Sequence, residues 1–325
     1  MLRYVFKRLL WMIPVVLGVL LIIFVLSAIT PGDPLDVIVG VDATPEAREA
    51  ARIEYGLDQP FYERFVNYIM GIVTRGDFGR SYSNGQPVID ELSRRFPVTI
   101  KLTLASVFVA LIISLPIGVL SAVKQYSWID NITMAGALLF VSIPQFWFAL
   151  MLMLLFCVKL QLLPASGISG IASWILPVAM IGIGNVGNLA RVTRSSMLEI
   201  IRQDYMRTAR AKGQRSGVVI FKHGLRNALM PVIANVGNTI GVSLGGAVVA
   251  ESIFSIPGVG QYMLTAINAR DWPVVQAGIV VLAVTFSIVM LIVDLVYTVV
   301  DPRLKTEFQA KAKRARRKKE AVPNG

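Results

Sequence analysis

Six apolar stretches, at about 9–30, 99–122, 132–157, 175–191, 231–252 and 276–300, limit what this chain can fold into. A hydrocarbon core about 30 Å thick needs roughly 20 apolar residues at about 1.5 Å of rise each, and these runs come close to or reach that length. Lipid offers no partner to a backbone N–H or C=O, so each run has to satisfy its own hydrogen bonds as a helix. Composition agrees. Hydrophobic residues make up 55% and charged residues 16% of the 325, where a soluble domain carries about 25% charge. The sequence therefore predicts an all-α membrane protein with six transmembrane helices.

Charge sets the expected sides. Arg3, Lys7 and Arg8 precede the first run, which exceeds the roughly 7–15 apolar residues of a signal peptide and reads as an uncleaved span. Thr30 to Pro34, with Gly32 inside it, should end that helix. Residues 31–98 hold eleven acids and seven Lys/Arg and read as an extracytoplasmic loop, within which 45–55 and 61–73 have helical apolar spacing. From Arg191 to Arg226 there are nine Lys/Arg against two acids, and from Asp301 to the end nine against three. Basic segments stay on the cytoplasmic side, so both termini and the loop 192–230 are expected there. The domain reading is thus 1–30 as N-terminus and first span, 31–98 as outer loop, 99–303 as a five-helix core, and 304–325 as a basic tail.

Net charge of +12 raises a nucleic-acid reading, but the basic residues flank apolar spans and suit anionic lipid better. Gly182-Ile-Gly184-Asn-Val-Gly187 matches a dinucleotide-binding spacing. That motif needs a preceding strand, whereas this one lies in a span and reads as close helix packing or a substrate-facing stretch. Gly237, Gly241 and Gly245 recur at four-residue spacing on one face of the fifth span, a helix-packing signal. Asn235, Asn238, Thr239 and Ser243 bring polar groups into the same span, and because polar groups are costly against lipid they are candidates for lining a translocation path. His223 and Cys157 are the sole histidine and cysteine, so neither a disulfide nor a metal cluster is expected, and no catalytic constellation is evident. No GxxxxGK[ST] phosphate loop occurs. The chain needs no cofactor of its own, and any ATP it uses must be bound by another polypeptide.

The segment RTARAKG, followed by an apolar run and HGLRNALMP, resembles the EAA loop of ABC-importer permeases in the dipeptide, oligopeptide, glutathione and nickel class. Residues 28–34, Tyr55 to Pro60, Gly76 to Gly79, and Val293 to Tyr297 through Arg303 are similar to the same class. Ala209 and Gly213 match the motif alanine and glycine, and Arg207 takes the usual glutamate position. The resemblance implies a type I ABC importer permease fold in the cytoplasmic membrane and no enzymatic activity. It implies a short coupling helix formed by Tyr205, Arg207, Thr208, Ala209, Arg210, Ala211, Lys212 and Gly213, docked on a separate ATPase, with small residues allowing close approach and basic ones supplying rim charge. Implied partners are a second homologous permease, commonly non-identical, two ATPase subunits and an extracytoplasmic solute-binding protein. Peptide is the cargo expected, with nickel chelates, glutathione or oligosaccharides as alternatives. An ion-coupled secondary transporter is the competing class.

Overall fold

The structure, a computed structural model, describes residues 2–300. The basic tail expected at 304–325 lies outside the described residues. Within them the regular structure is helical, with an isolated bridge between Arg80 and Pro87 in place of any named strand.

Helix α1 (Leu2–Ile29) ends where the Pro-Gly-Asp-Pro turn begins, as expected. Short helices follow. In α2 (Pro34–Ile38) the Asp33 carboxylate accepts the Leu35 N–H, and in α3 (Pro45–Glu54) the Thr44 hydroxyl accepts the Ala47 N–H; each has Pro at its first position. Such caps satisfy donors that a helix start leaves orphaned, and Pro there gives up nothing. Arg48 reaches back from α3 to Asp33 at 2.7 Å and Asp36 at 2.9 Å, tying the two helices together. Helix α4 (Phe61–Arg75) stops at Gly76, whose φ of 63° is left-handed. The stretches predicted as helical at 45–55 and 61–73 are α3 and α4.

The long helices are α5 (Val88–Val123), α8 (Ala172–Ile201), α11 (Arg226–Ile253) and α13 (Trp272–Val300). Between them lie α6 (Trp128–Ser142), α7 (Gln145–Met153) with a π-helical turn at Leu154–Lys159, α9 (Asp204–Ala211), α10 (Ser216–Val218) and α12 (Val259–Asn268). A second π-helical turn, Val219–Leu225, carries α10 straight into α11. Among the described residues five stretches are long and apolar enough to cross a membrane, and a sixth span exists if α6 and α7 count as one.

That pair corrects the expectation of one continuous helix over 132–157: the two halves meet at 96°. Pro144 explains the break, since it lacks the N–H that would continue the α6 ladder and its ring disfavours a helical residue before it.

Packing divides the described residues into two units, one from 2–109, Ser142–Asn185 and Ile240–Ser287, the other from Ala110–Val141, Val186–Thr239 and 288–300. In the first unit Leu102, Ala149, Leu176, Met180, Ile181, Ala247 and Phe254 form one buried cluster, and Val88, Leu92, Val259, Met263 and Val274 another. Glu251, fully buried, is a polar node beside them. It accepts the Thr99 hydroxyl at 2.6 Å and the Gln261 N–H at 3.0 Å, while Thr99 Oγ1 accepts the Val259 N–H at 2.9 Å. The start of α12 is thereby capped from α5 and α11. In the second unit Ala110, Val186 and Leu189 form one cluster and Val119, Ala122, Met197 and Ala228 another.

Candidate functional site

The segment singled out by its basic residues folds as α9, a two-turn amphipathic helix. Met206 and Ala209, three residues apart and so on one face, are buried against Val219 with Ile200 and Ile201 beside them. Beneath Met206 lies Gly224, where a Cβ would come within 3.2 Å of Met206 Cε. The Asn227 amide donates to the Tyr205 hydroxyl at 3.3 Å. Gly213 ends the turn at φ 74°, a conformation that favours glycine. Arg207, Thr208, Arg210, Ala211, Lys212 and Gly213 face outward, as does Tyr205 in large part. Ala209 differs from the others. Its small side chain serves contact within the chain, because a helix held by one face has to turn some of its residues inward.

The polar residues of α11 separate by burial. Thr239 and Ser243 are buried, Asn235 is half-buried and Asn238 is exposed. Ser243 accepts the Asn185 amide at 3.1 Å, and that amide also donates to the Ile181 carbonyl. In the second unit the Asn188 amide donates to Asn235 Oδ1 at 3.3 Å, and the Thr239 hydroxyl donates to the Asn235 carbonyl at 3.0 Å. Reasoning from sequence missed Asn185 and Asn188. The signal was present as two amides three residues apart in the glycine-rich part of the fourth span.

The glycines sort by neighbour. A Cβ on Gly237 would lie 3.1 Å from Met290 Sδ and Val293 Cγ2, and one on Gly241 would lie 2.4 Å from Phe286. Gly245 has open space, whereas Gly246 approaches Gln145 Oε1 at 3.1 Å. Gly182 and Gly187 are the tight ones in α8. Their Cβ atoms would stand 2.9 Å from the Ser106 carbonyl and 2.2 Å from that of Ala137. The GxGxxG spacing sits inside a continuous helix and serves packing.

Sequence analysis also missed the ion pair between Asp130 of α6 and Arg194 of α8. Asp130 Oδ1 accepts Arg194 Nε at 2.8 Å and Oδ2 accepts Nη2 at 2.7 Å, with Ser121 Oγ and the Tyr126 N–H completing the shell. A bidentate pair of this kind fixes geometry as well as charge. Among the described residues no group of three metal-ligating side chains occurs.

Comparison with known proteins identifies this arrangement. Residues 114–306 match the family model described as binding-protein-dependent transport system inner membrane component, and residues 1–103 match the N-terminal model of the same systems. The chain belongs to this family. The permease is 41% identical to a dipeptide transport system permease protein, DppB, of Alkalihalophilus pseudofirmus, over 94% of this chain and all of that one. It is 39% identical to a glutathione transport system permease protein, GsiC, of Escherichia coli K12, over 94% and 99% of the two chains. A solved structure of the MetNI methionine ABC transporter in inward-facing form superimposes with a TM-score of 0.58 at 20% identity, covering 66% of the permease and 97% of that chain. That likeness shows the shared fold. The permease is accordingly a multi-pass inner-membrane transport subunit, and ATP hydrolysis lies in separate subunits. Another permease, ATPases and a binding protein are its partners in general terms.

Proposed function

We propose that this permease forms one side of the path through which an ATP-driven importer carries small peptides, and that α9 is its coupling helix. The observation that carries the second half is the build of α9. It is pinned to its own chain by Met206 and Ala209 and offers Arg207, Thr208, Arg210, Ala211, Lys212 and Gly213 outward. A short helix fixed on one face transmits displacement to the spans joined to it, and basic rim charge orients its docking on an ATPase groove. ATP then favours one of two arrangements of the spans through contacts that differ between them. In this reading α9 and the surrounding loop 192–230 are cytoplasmic, as are both termini, while 31–98 faces outward. The permease pairs with a second, non-identical homologue, and two ATPases and an external receptor complete the importer.

Peptide cargo is supported by the dipeptide permease relative. The glutathione permease relative, nearly as similar, favours glutathione as the second reading. Both are small peptide-like carboxylates. Gly213→Trp places a bulky side chain at a left-handed residue on the exposed turn, and it should abolish co-purification of the ATPase while leaving the permease in the membrane. Retention of the ATPase at wild-type level would remove α9 from the contact.

A further inference from the structure

We propose that Arg191 is a docking point for a carboxylate of the cargo, a reading that rests on the peptide-like cargo proposed above. Arg191 lies on α8 within the second unit, exposed and without an ion-pair partner among the described residues. Three residues before it is Asn188, whose amide pairs in the open with Asn235 of α11, and Asn238 is exposed one turn further along α11. Exposed amides on membrane helices are costly against lipid and belong beside water. Beside those amides, at the end of the span, Arg191 is the group that attracts an anion.

Next to it a cleft of about 310 Å³ opens between α6 and α8. Arg191, Asn131 and the Asp130–Arg194 pair line it together with the apolar Met134, Ala137 and Leu138. The helices touch where Gly187 meets Ala137 and are bridged again by Asp130 and Arg194, so their relative placement around the cleft is fixed at two points. Asp130 occupies the Arg194 guanidinium with two hydrogen bonds, which leaves Arg191 as the cation available to a ligand. Such an arrangement takes a small molecule with a carboxylate at one end and an apolar side chain next to it. The carboxylate meets the Arg191 fork, and the side chain rests on Met134 and Leu138, which share the lining.

The test is uptake of dialanine and of dialanine amide into proteoliposomes holding the complete importer with wild type, Arg191→Lys or Arg191→Gln. The receptor's own preference enters every measurement equally, so the quotient of the two uptakes, compared across variants, isolates the permease. We expect Arg191→Gln to lower the preference for the free carboxylate about tenfold, Arg191→Lys to keep most of it, and Met134→Trp, which fills the cleft, to lower uptake of both cargoes. An unchanged quotient in Arg191→Gln overturns the proposal, as does an equal loss for both cargoes, which would mark a structural role. A defect that instead follows replacement of phosphatidylglycerol by phosphatidylcholine in the vesicles assigns Arg191 to lipid and also overturns it. If the wild type carries glutathione and not dialanine, the peptide reading fails. The Arg191 contact is then read on glutathione and its amidated form.

Discussion

At the scale of single residues, the permease places its ionised groups where neighbours already wait for them. Asp130 is almost wholly buried and receives Arg194, Ser121 and the Tyr126 N–H, so removing Arg194 strands a charge rather than merely losing a contact. Breaking such a pair costs about 3–5 kcal/mol. Arg194→Ala should therefore lower the thermal midpoint of the purified permease markedly, and Asp130→Asn with Arg194→Gln should recover part of the loss; equal midpoints for wild type and Arg194→Ala would contradict this. Glu251 makes the same point with neutral donors. Glu251→Ala leaves the Thr99 hydroxyl and the Gln261 N–H without their acceptor, at about 1–3 kcal/mol each when buried. Neither residue was legible as a node beforehand, since sequence shows a charge but not the residue more than fifty positions away that meets it.

Among the elements, the broken pair α6–α7 and the pinned helix α9 depart from straight spans for opposite reasons. The break at Ile143-Pro144 is local chemistry, a missing donor and a ring, and Pro144 was there to be read. A run of apolar residues long enough for one span masked it, because hydropathy counts length and ignores continuity. Pro144→Leu restores the donor, so the bend of 96° should relax. Spin labels placed on α6 and α7 should move apart, and uptake should fall with the permease still present in the membrane. An unchanged label distance would show that tertiary packing, and not Pro144, sets the angle. Helix α9 is the reverse case. Its existence was signalled by the RTARAKG segment, while the face it buries was fixed by Val219 and the shelf at Gly224.

For the whole molecule, sidedness is the prediction that tests most at once. With Cys157→Ser as background, a cysteine at Ala211 should react with a membrane-impermeant maleimide only in inverted vesicles, and one at Ser83 only in intact cells. The opposite pattern would defeat the coupling role of α9 together with the assignment of 31–98 as the outer region. Sequence alone determined that the chain is an all-helical membrane protein and where most of its spans lie, because hydrocarbon forces every backbone group into a helix and the span lengths follow from bilayer thickness; the family was carried separately, by the resemblance of the RTARAKG segment. Tertiary structure alone decided that Asp130 meets Arg194, that Asn188 meets Asn235, that Ala209 turns inward and that Arg191 stands open beside a cleft. Those outcomes depend on how helices rotate and approach one another, and such rotations are set by close packing at residues such as Gly182 and Gly187, which no count along one chain can reveal.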